Sequence, residues 1–308
     1  MDIRKYQGVI PAFYACYDDN GNISPERVEA YTRWLVKQGV KGIYVGGSSG
    51  ECIYQSVEDR KITLEHAVKA AEGKLTIIAH IACNSTKDSM ELAAHAESLG
   101  VDAIASIPPI YFKLPEHAVA KYWNDISSAA PNTDFIIYNI PQLAGIALTG
   151  SLLDEMLKNP KLIGVKNSSM AAMDIQIFKD KGTAGGRDFV VFNGPDEQFI
   201  SGLLIGADGG IGGTYSCMPE LFLKLWDLHY ANEHETARAL QYDINNIIYT
   251  LCSGKGHMYA LIKAALTKRV GLEFGGVRAP FANVVDADMP IVDKAVSMIN
   301  AAIAKYIG

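Results

Sequence analysis

"KLIGVKNSSM", residues 161–170, is the stretch on which the reading turns. Leu162 to Val165 form an unbroken apolar run, as expected of a strand buried on both faces, and the run ends in Lys166, Asn167 and two serines. Such strands belong to parallel sheets covered by helices. A buried ammonium is costly unless it is paired or gives up its proton, and a neutral lysine is a nucleophile.

The same layout recurs on either side. "DFIIYNIP" (134–141) and "DFVVFNGP" (188–195) are apolar runs ending in polar residues, and "GADGGIGGTY" (206–215) is a glycine-rich counterpart. Upstream, "GVIPAFYACY" (8–17), "GIYVGGSSG" (42–50), "LTIIAHIA" (75–82) and "DAIASIPP" (102–109) are β-prone. Helical segments separate them. Ser24 then Pro25 reads as an N-cap and first helical residue, with a stop at Gly39. Ser56 with Asp59, and Ser85 with Asp88, have capping-box spacing, and a further helix opens near Pro115. Eight strand–helix units in succession predict an α/β fold, a (β/α)₈ TIM barrel. An open doubly wound sheet is the weaker alternative, because the chain has no G-x-G-x-x-G. Beyond residue 232 only helical patterns follow, including Leu240, Ile244, Ile247, Ile248 and Leu251, then 258–269 and 290–307. The expected division is a barrel over 1–232 and a C-terminal helical extension over 233–308.

Bulk properties narrow the function. With 308 residues, 49% of them hydrophobic and a net charge of −6, the chain reads as a folded protein without a nucleic-acid or anionic-membrane surface. It has no apolar run of membrane-spanning length and no signal-peptide layout at its start. Its five scattered cysteines form no Cys-x-x-Cys pair, so a cytoplasmic location with reduced thiols is expected. The seven histidines show no ligand-like cluster, and no metal is expected.

In a barrel of this kind the chemistry lies at the C-terminal strand ends. The polar residues there are Ser48, Ser49 and Glu51 after strand two, Tyr111 after strand four, Tyr138 and Asn139 on strand five, Lys166 to Ser168 on strand six, and Asn193, Gly194, Asp196 and Glu197 after strand seven. Lys166 fits Schiff-base formation, in which an iminium stabilises the carbanion beside a former carbonyl. A strand-end lysine reaching into water is the plainer alternative. The Ser48-Ser49-Gly50 turn offers hydroxyls and backbone N–H groups to an anion, yet is equally an ordinary turn. Tyr138 becomes a proton relay if it faces Lys166 and is otherwise a core tyrosine. Asp196 and Glu197 either bind substrate hydroxyls or simply begin a helix. Tyr259 and Phe112 read as packing residues at a pocket edge.

Together, "GGSSGE" (46–51), "YNIP" (138–141), "GVK" (164–166), "NGPDE" (193–197) and "GADGGIGGTY" (206–215) resemble the N-acetylneuraminate lyase / dihydrodipicolinate synthase family of pyruvate-dependent class I aldolases. The resemblance runs over nearly the whole chain. It implies a barrel with a helical extension, Lys166 as the Schiff-base lysine, Tyr138 as the relay, Tyr111 as its support, and Ser48 and Ser49 on the pyruvate carboxylate. It implies no cofactor beyond the covalent Schiff base, and a homotetramer. Leu143 stands where the synthases carry a carboxylate-gripping arginine, so the resemblance favours the lyases that cleave the sialic acid N-acetylneuraminate. Gly194, Asp196, Glu197 and Ser168 would then bind the sugar tail. Gly213 departs from the lyase pattern, where a serine precedes the "TY", and removes one hydroxyl contact. A dihydrodipicolinate synthase, against which Leu143 counts, a 2-keto-3-deoxy sugar-acid aldolase and a non-catalytic sugar-acid binding protein are the alternatives.

Overall fold

A computed structural model describes residues 2–308. Its strands are β1 (Gly8–Pro11), β2 (Gly42–Val45), β3 (Thr76–His80), β4 (Ala103–Ser106), β5 (Asp134–Asn139), β6 (Leu162–Asn167), β7 (Val190–Asn193) and β8 (Gly209–Gly212). They form one sheet of eight strands in the order β1-β8-β7-β6-β5-β4-β3-β2, and the pairs from β3 to β8 are parallel. Across the remaining seam the Lys41 N–H donates to the Val9 carbonyl at 2.9 Å. The fold is a nearly closed TIM barrel with alternating helices, as the strand–helix repetition predicts.

The strands are shorter than the apolar runs that announce them. β1 stops at Pro11, which has no N–H for a ladder, although 12–17 remain buried. β2 stops at Val45, before Gly46 takes φ 75°. Burial rather than strand pairing accounts for the rest of these apolar runs.

The helices are α1 (Pro25–Gln38), α2 (Val57–Ala71), α3 (Thr86–Ser98), α4 (Glu116–Ser128), α5 (Pro141–Ala144), α6 (Gly150–Met156), α7 (Met173–Gly182), α8 (Phe199–Leu204), α9 (Pro219–Tyr230), α10 (His234–Leu251), α11 (Met258–Val270) and α12 (Met289–Tyr306). Local chemistry sets their ends. Ser24 accepts from the Arg27 N–H to start α1, and Gly39 at φ 75° ends it. Ser56 and Asp59 form the anticipated capping box on α2. No helix among the described residues is long and apolar enough to cross a membrane.

Backbone proximity groups the chain into two compact units that alternate along the sequence. One comprises the chain up to Ile10, Lys41–Tyr44 and Thr76–Ile211; the other comprises Pro11–Val40, Val45–Leu75 and Gly212–Gly308. The expectation above draws a single boundary at 232 instead. The first, strand-bearing unit contains nearly all of the barrel strands with α3 to α8. Its interior is filled by alternate strand residues such as Ile78, Ala103, Ala105, Ile136, Tyr138, Val190 and Phe192. Aspartates fasten the N-terminal strand ends: Asp102 accepts from the Ile77 N–H, and Asp208 from the Val191 N–H and the Lys179 ammonium. The second, helix-rich unit contains α1, α2 and α9 to α12. There α10 buries Leu240, Ile244, Ile247, Ile248 and Leu251, the stripe read from the sequence.

Candidate active site

In the strand-bearing unit the parallel register sets Tyr138 beside Lys166 and Asn139 beside Asn167. Neighbours in register project to the same face, so Tyr138 and Lys166 both enter the barrel interior. Lys166 is 4% exposed. Its Nζ lies 3.9 Å from the Tyr138 ring centroid and 4.4 Å from that of Tyr44. Among the described residues this Nζ makes no hydrogen bond and no ion pair. Two aromatic faces offer a cation some attraction, but no counter-charge and no acceptor replaces its lost hydration. A strand-end lysine reaching into water is thereby ruled out. The Tyr44 and Tyr138 rings that flank Lys166 also pack with the His80 ring, the three centroids lying 5.8–6.0 Å apart.

Three asparagines in register hold the strand ends in place. Asn139 Nδ2 donates to Asn167 Oδ1 at 2.8 Å while Asn139 Oδ1 accepts from the Leu148 N–H. Asn193 donates to the Pro195 carbonyl at 2.7 Å. These hydrogen bonds tie the ends of β5 and β6 to each other and the ends of β5 and β7 to the segments that follow them. Among the sugar-tail candidates, Ser168 and Gly194 sit side by side: Gly194 N–H donates to the Asn167 carbonyl, and a β-carbon at 194 would overlap Ser168 Oγ. Glycine is required there by this close approach. Asp196 is buried and Glu197 half-buried, both in a single 3₁₀ turn (Asp196–Gln198) leading into α8. That placement suits the helix-start reading.

Tyr111 lies elsewhere in this unit. It is 88% exposed at φ 85°, its ring is edge-on to Phe112, and the two line a surface hollow of ≈ 570 Å³ with Asn84 and Tyr122.

In the helix-rich unit, Ser48–Gly50 forms a 3₁₀ turn directly after β2, with Ser49 buried and Ser48 half-buried. The Ser49 hydroxyl donates to the Tyr259 hydroxyl at 3.0 Å. Glu51, next in the chain, holds a left-handed φ of 59° and is 1% exposed. Its Oε1 takes the Lys263 ammonium at 2.7 Å, and its Oε2 takes the Arg278 N–H at 2.7 Å and the Tyr17 hydroxyl at 3.2 Å. Burial pulls the Lys263 ammonium below the ordinary lysine value, and Glu51 opposes that shift. Burial, with Glu51 adding to it, pushes the Tyr17 phenol up. Gly213, at the end of β8, also lies in this unit.

Sequence reasoning passed over Tyr44, His80 and Lys263, and took Tyr259 for packing. A polar aromatic inside an otherwise apolar strand was the available signal for Tyr44 and His80. Nothing local marks Lys263, whose partner lies 212 residues away. Among the described residues no group of three or more His, Cys, Asp or Glu is arranged to hold a metal ion.

The sequence pattern of the Dihydrodipicolinate synthetase family matches residues 5–299. The chain is 64% identical over 306 residues to the N-acetylneuraminate lyase of Mediterraneibacter gnavus, a match covering 99% of this chain and 96% of that one. It is 34% identical over 300 residues to the N-acetylneuraminate lyase of Rhizobium meliloti, covering 96% of both. Its structure matches that of the wild-type Ruminococcus gnavus sialic acid aldolase with a TM-score of 0.96 at 64% identity, covering 98% of this chain and 100% of that chain. The catalytic lysine mutant of the Ruminococcus gnavus aldolase matches with a TM-score of 0.97. Because the family pattern runs from before β1 into α12, the chain belongs to the Dihydrodipicolinate synthetase family.

Proposed function

We propose that this protein is a carbon–carbon lyase that cleaves N-acetylneuraminate to N-acetylmannosamine and pyruvate through a Schiff base at Lys166. The observation that carries the reading is Lys166 itself: 4% exposed, in register with Tyr138, with no ion-pair partner among the described residues. The 64% identity to an N-acetylneuraminate lyase supports the choice of substrate.

The neutral Lys166 amine adds to the C2 ketone of the open-chain sugar acid. Loss of water gives an iminium, which serves as the electron sink, so the reaction calls for no metal. Tyr138 takes the proton from the C4 hydroxyl, the C3–C4 bond breaks, and its electron pair passes into an enamine as the aldehyde leaves. Protonation at C3 and hydrolysis release pyruvate and restore the amine. By family resemblance Ser48 and Ser49 receive the carboxylate, and Ser168, Gly194, Asp196, Glu197 and the backbone at Gly213 receive the polyol. Tyr111 is proposed to support the relay, which its exposed position requires it to do from outside the Lys166 cluster. A homotetramer in the cytoplasm completes the proposal, and the five free cysteines suit a reducing compartment. Gly213 keeps one second reading open, an aldolase for a shorter 2-keto-3-deoxy sugar acid.

The test is borohydride trapping with pyruvate, together with pyruvate release from N-acetylneuraminate and from 2-keto-3-deoxygluconate. Wild type should be trapped and should release pyruvate from the sialic acid; Lys166→Ala should do neither. Trapping that survives in Lys166→Ala would remove the nucleophile assignment. Release from the shorter acid alone would replace the substrate.

A further inference from the structure

The strand-bearing unit sets a second aromatic ring on the reacting amine, and the mechanism above uses only the first. Tyr44, on β2, is fully buried among the side chains that fill the barrel interior. β2 lies four strands from β6 in either direction round the sheet, so Tyr44 meets Lys166 from the opposite wall. Lys166 Nζ stands over the Tyr44 ring at 4.4 Å from its centroid and over the Tyr138 ring at 3.9 Å. The two centroids are 5.8 Å apart and the ring planes cross at 81°. These lengths make the angle at Nζ close to a right angle, so the nitrogen sits in a corner with a ring face on each side. The His80 ring packs with both, its centroid 6.0 Å from each.

The reaction changes what those faces meet. A neutral amine and a ketone take up a proton and lose a water on forming the iminium, so a positive charge appears at Nζ where there was none. The face of an aromatic ring carries the negative part of its quadrupole and attracts a cation, most strongly out of water. Among the described residues no carboxylate lies on this Nζ to do the same. We infer that Tyr44 is a catalytic residue whose ring face stabilises the iminium at Lys166. The π-face acts here, and the phenol hydroxyl has no part in it. The inference rests on the Schiff-base reading and deepens it.

The experiment compares wild type, Lys166→Ala, Tyr44→Leu and Tyr44→Phe, the last also with one, two and three fluorines on the introduced ring. Fluorine drains charge from a ring face while nearly keeping its shape, and Tyr44→Phe is the reference that removes any effect of the hydroxyl. The quantity read is the pyruvate concentration that half-saturates borohydride trapping. It should climb with each added fluorine, to about 10-fold above Tyr44→Phe at three, and Tyr44→Leu should lie about 10- to 30-fold above that reference. Half-saturation that stays flat across the fluorinated set overturns the inference, even where Tyr44→Leu is impaired, because packing alone would then account for the loss. Equal half-saturation in Tyr44→Leu and Tyr44→Phe overturns it as well. Wild type that is not trapped, or trapping that survives in Lys166→Ala, defeats the Schiff-base reading itself and takes the inference with it.

Discussion

At the scale of single residues, the site depends on where one amine sits. An exposed lysine is a solvated cation. Lys166 is enclosed by Tyr44 and Tyr138 without a carboxylate or a carbonyl on its Nζ among the described residues. Tyr138 lies under the amine through its ring, and its hydroxyl is the proton carrier of the proposed mechanism. Tyr138→Phe keeps the ring and removes that hydroxyl. It should lower kcat for sialic acid cleavage by about 10²- to 10⁴-fold while pyruvate is still trapped on Lys166. Steady-state kinetics and trapping on one preparation check this, and wild-type kcat in the variant would remove Tyr138 from the relay.

At the scale of elements, the serine turn after β2 is held by a long-range clamp within the helix-rich unit. Glu51 ends the turn in a left-handed conformation, and α11 answers it with Lys263, both side chains at 2% exposure or less. Such a pair is worth little against well-packed apolar groups, but removing one partner strands the other charge in the interior. Glu51→Gln leaves the Lys263 ammonium facing a neutral amide. Urea unfolding should show a loss of about 3–5 kcal/mol. Lys263→Met should cost a comparable amount, and the double variant less than the sum of the two. A loss below about 1 kcal/mol in Glu51→Gln would show that the pair is not holding the turn.

At the scale of the whole molecule, large apolar side chains remain uncovered in the single chain. Tyr111, Phe112, Leu143, Met170 and Met173 are 60–88% exposed, and all follow the ends of β4 to β6. Exposed groups of this size mark surfaces that a partner covers, which supports the proposed homotetramer. Sedimentation equilibrium at micromolar concentration should return four chain masses. A monomer would mean that these side chains face water in the working protein.

Properties carried by neighbours in the chain could be read directly. Apolar runs of strand length gave the eight strands, and Ser24, Gly39, Ser56 and Asp59 marked helix ends, because propensity and capping act over a few residues. Lys166 stood out for the same reason, as a charge at the end of an apolar run. Strand length was overestimated at 8–17 and 42–50, since an apolar run records burial whether or not a neighbouring strand pairs with it. Only the folded chain decided the rest. The register that sets Tyr138 beside Lys166 comes from strand alignment, and the Ser49–Tyr259 contact joins residues 210 positions apart. Tyr44 and His80 join the Lys166 cluster because closure of the sheet turns alternate side chains towards one interior. Such contacts depend on how distant segments pack, and that geometry is a property of the closed barrel and its helices rather than of any local stretch of sequence.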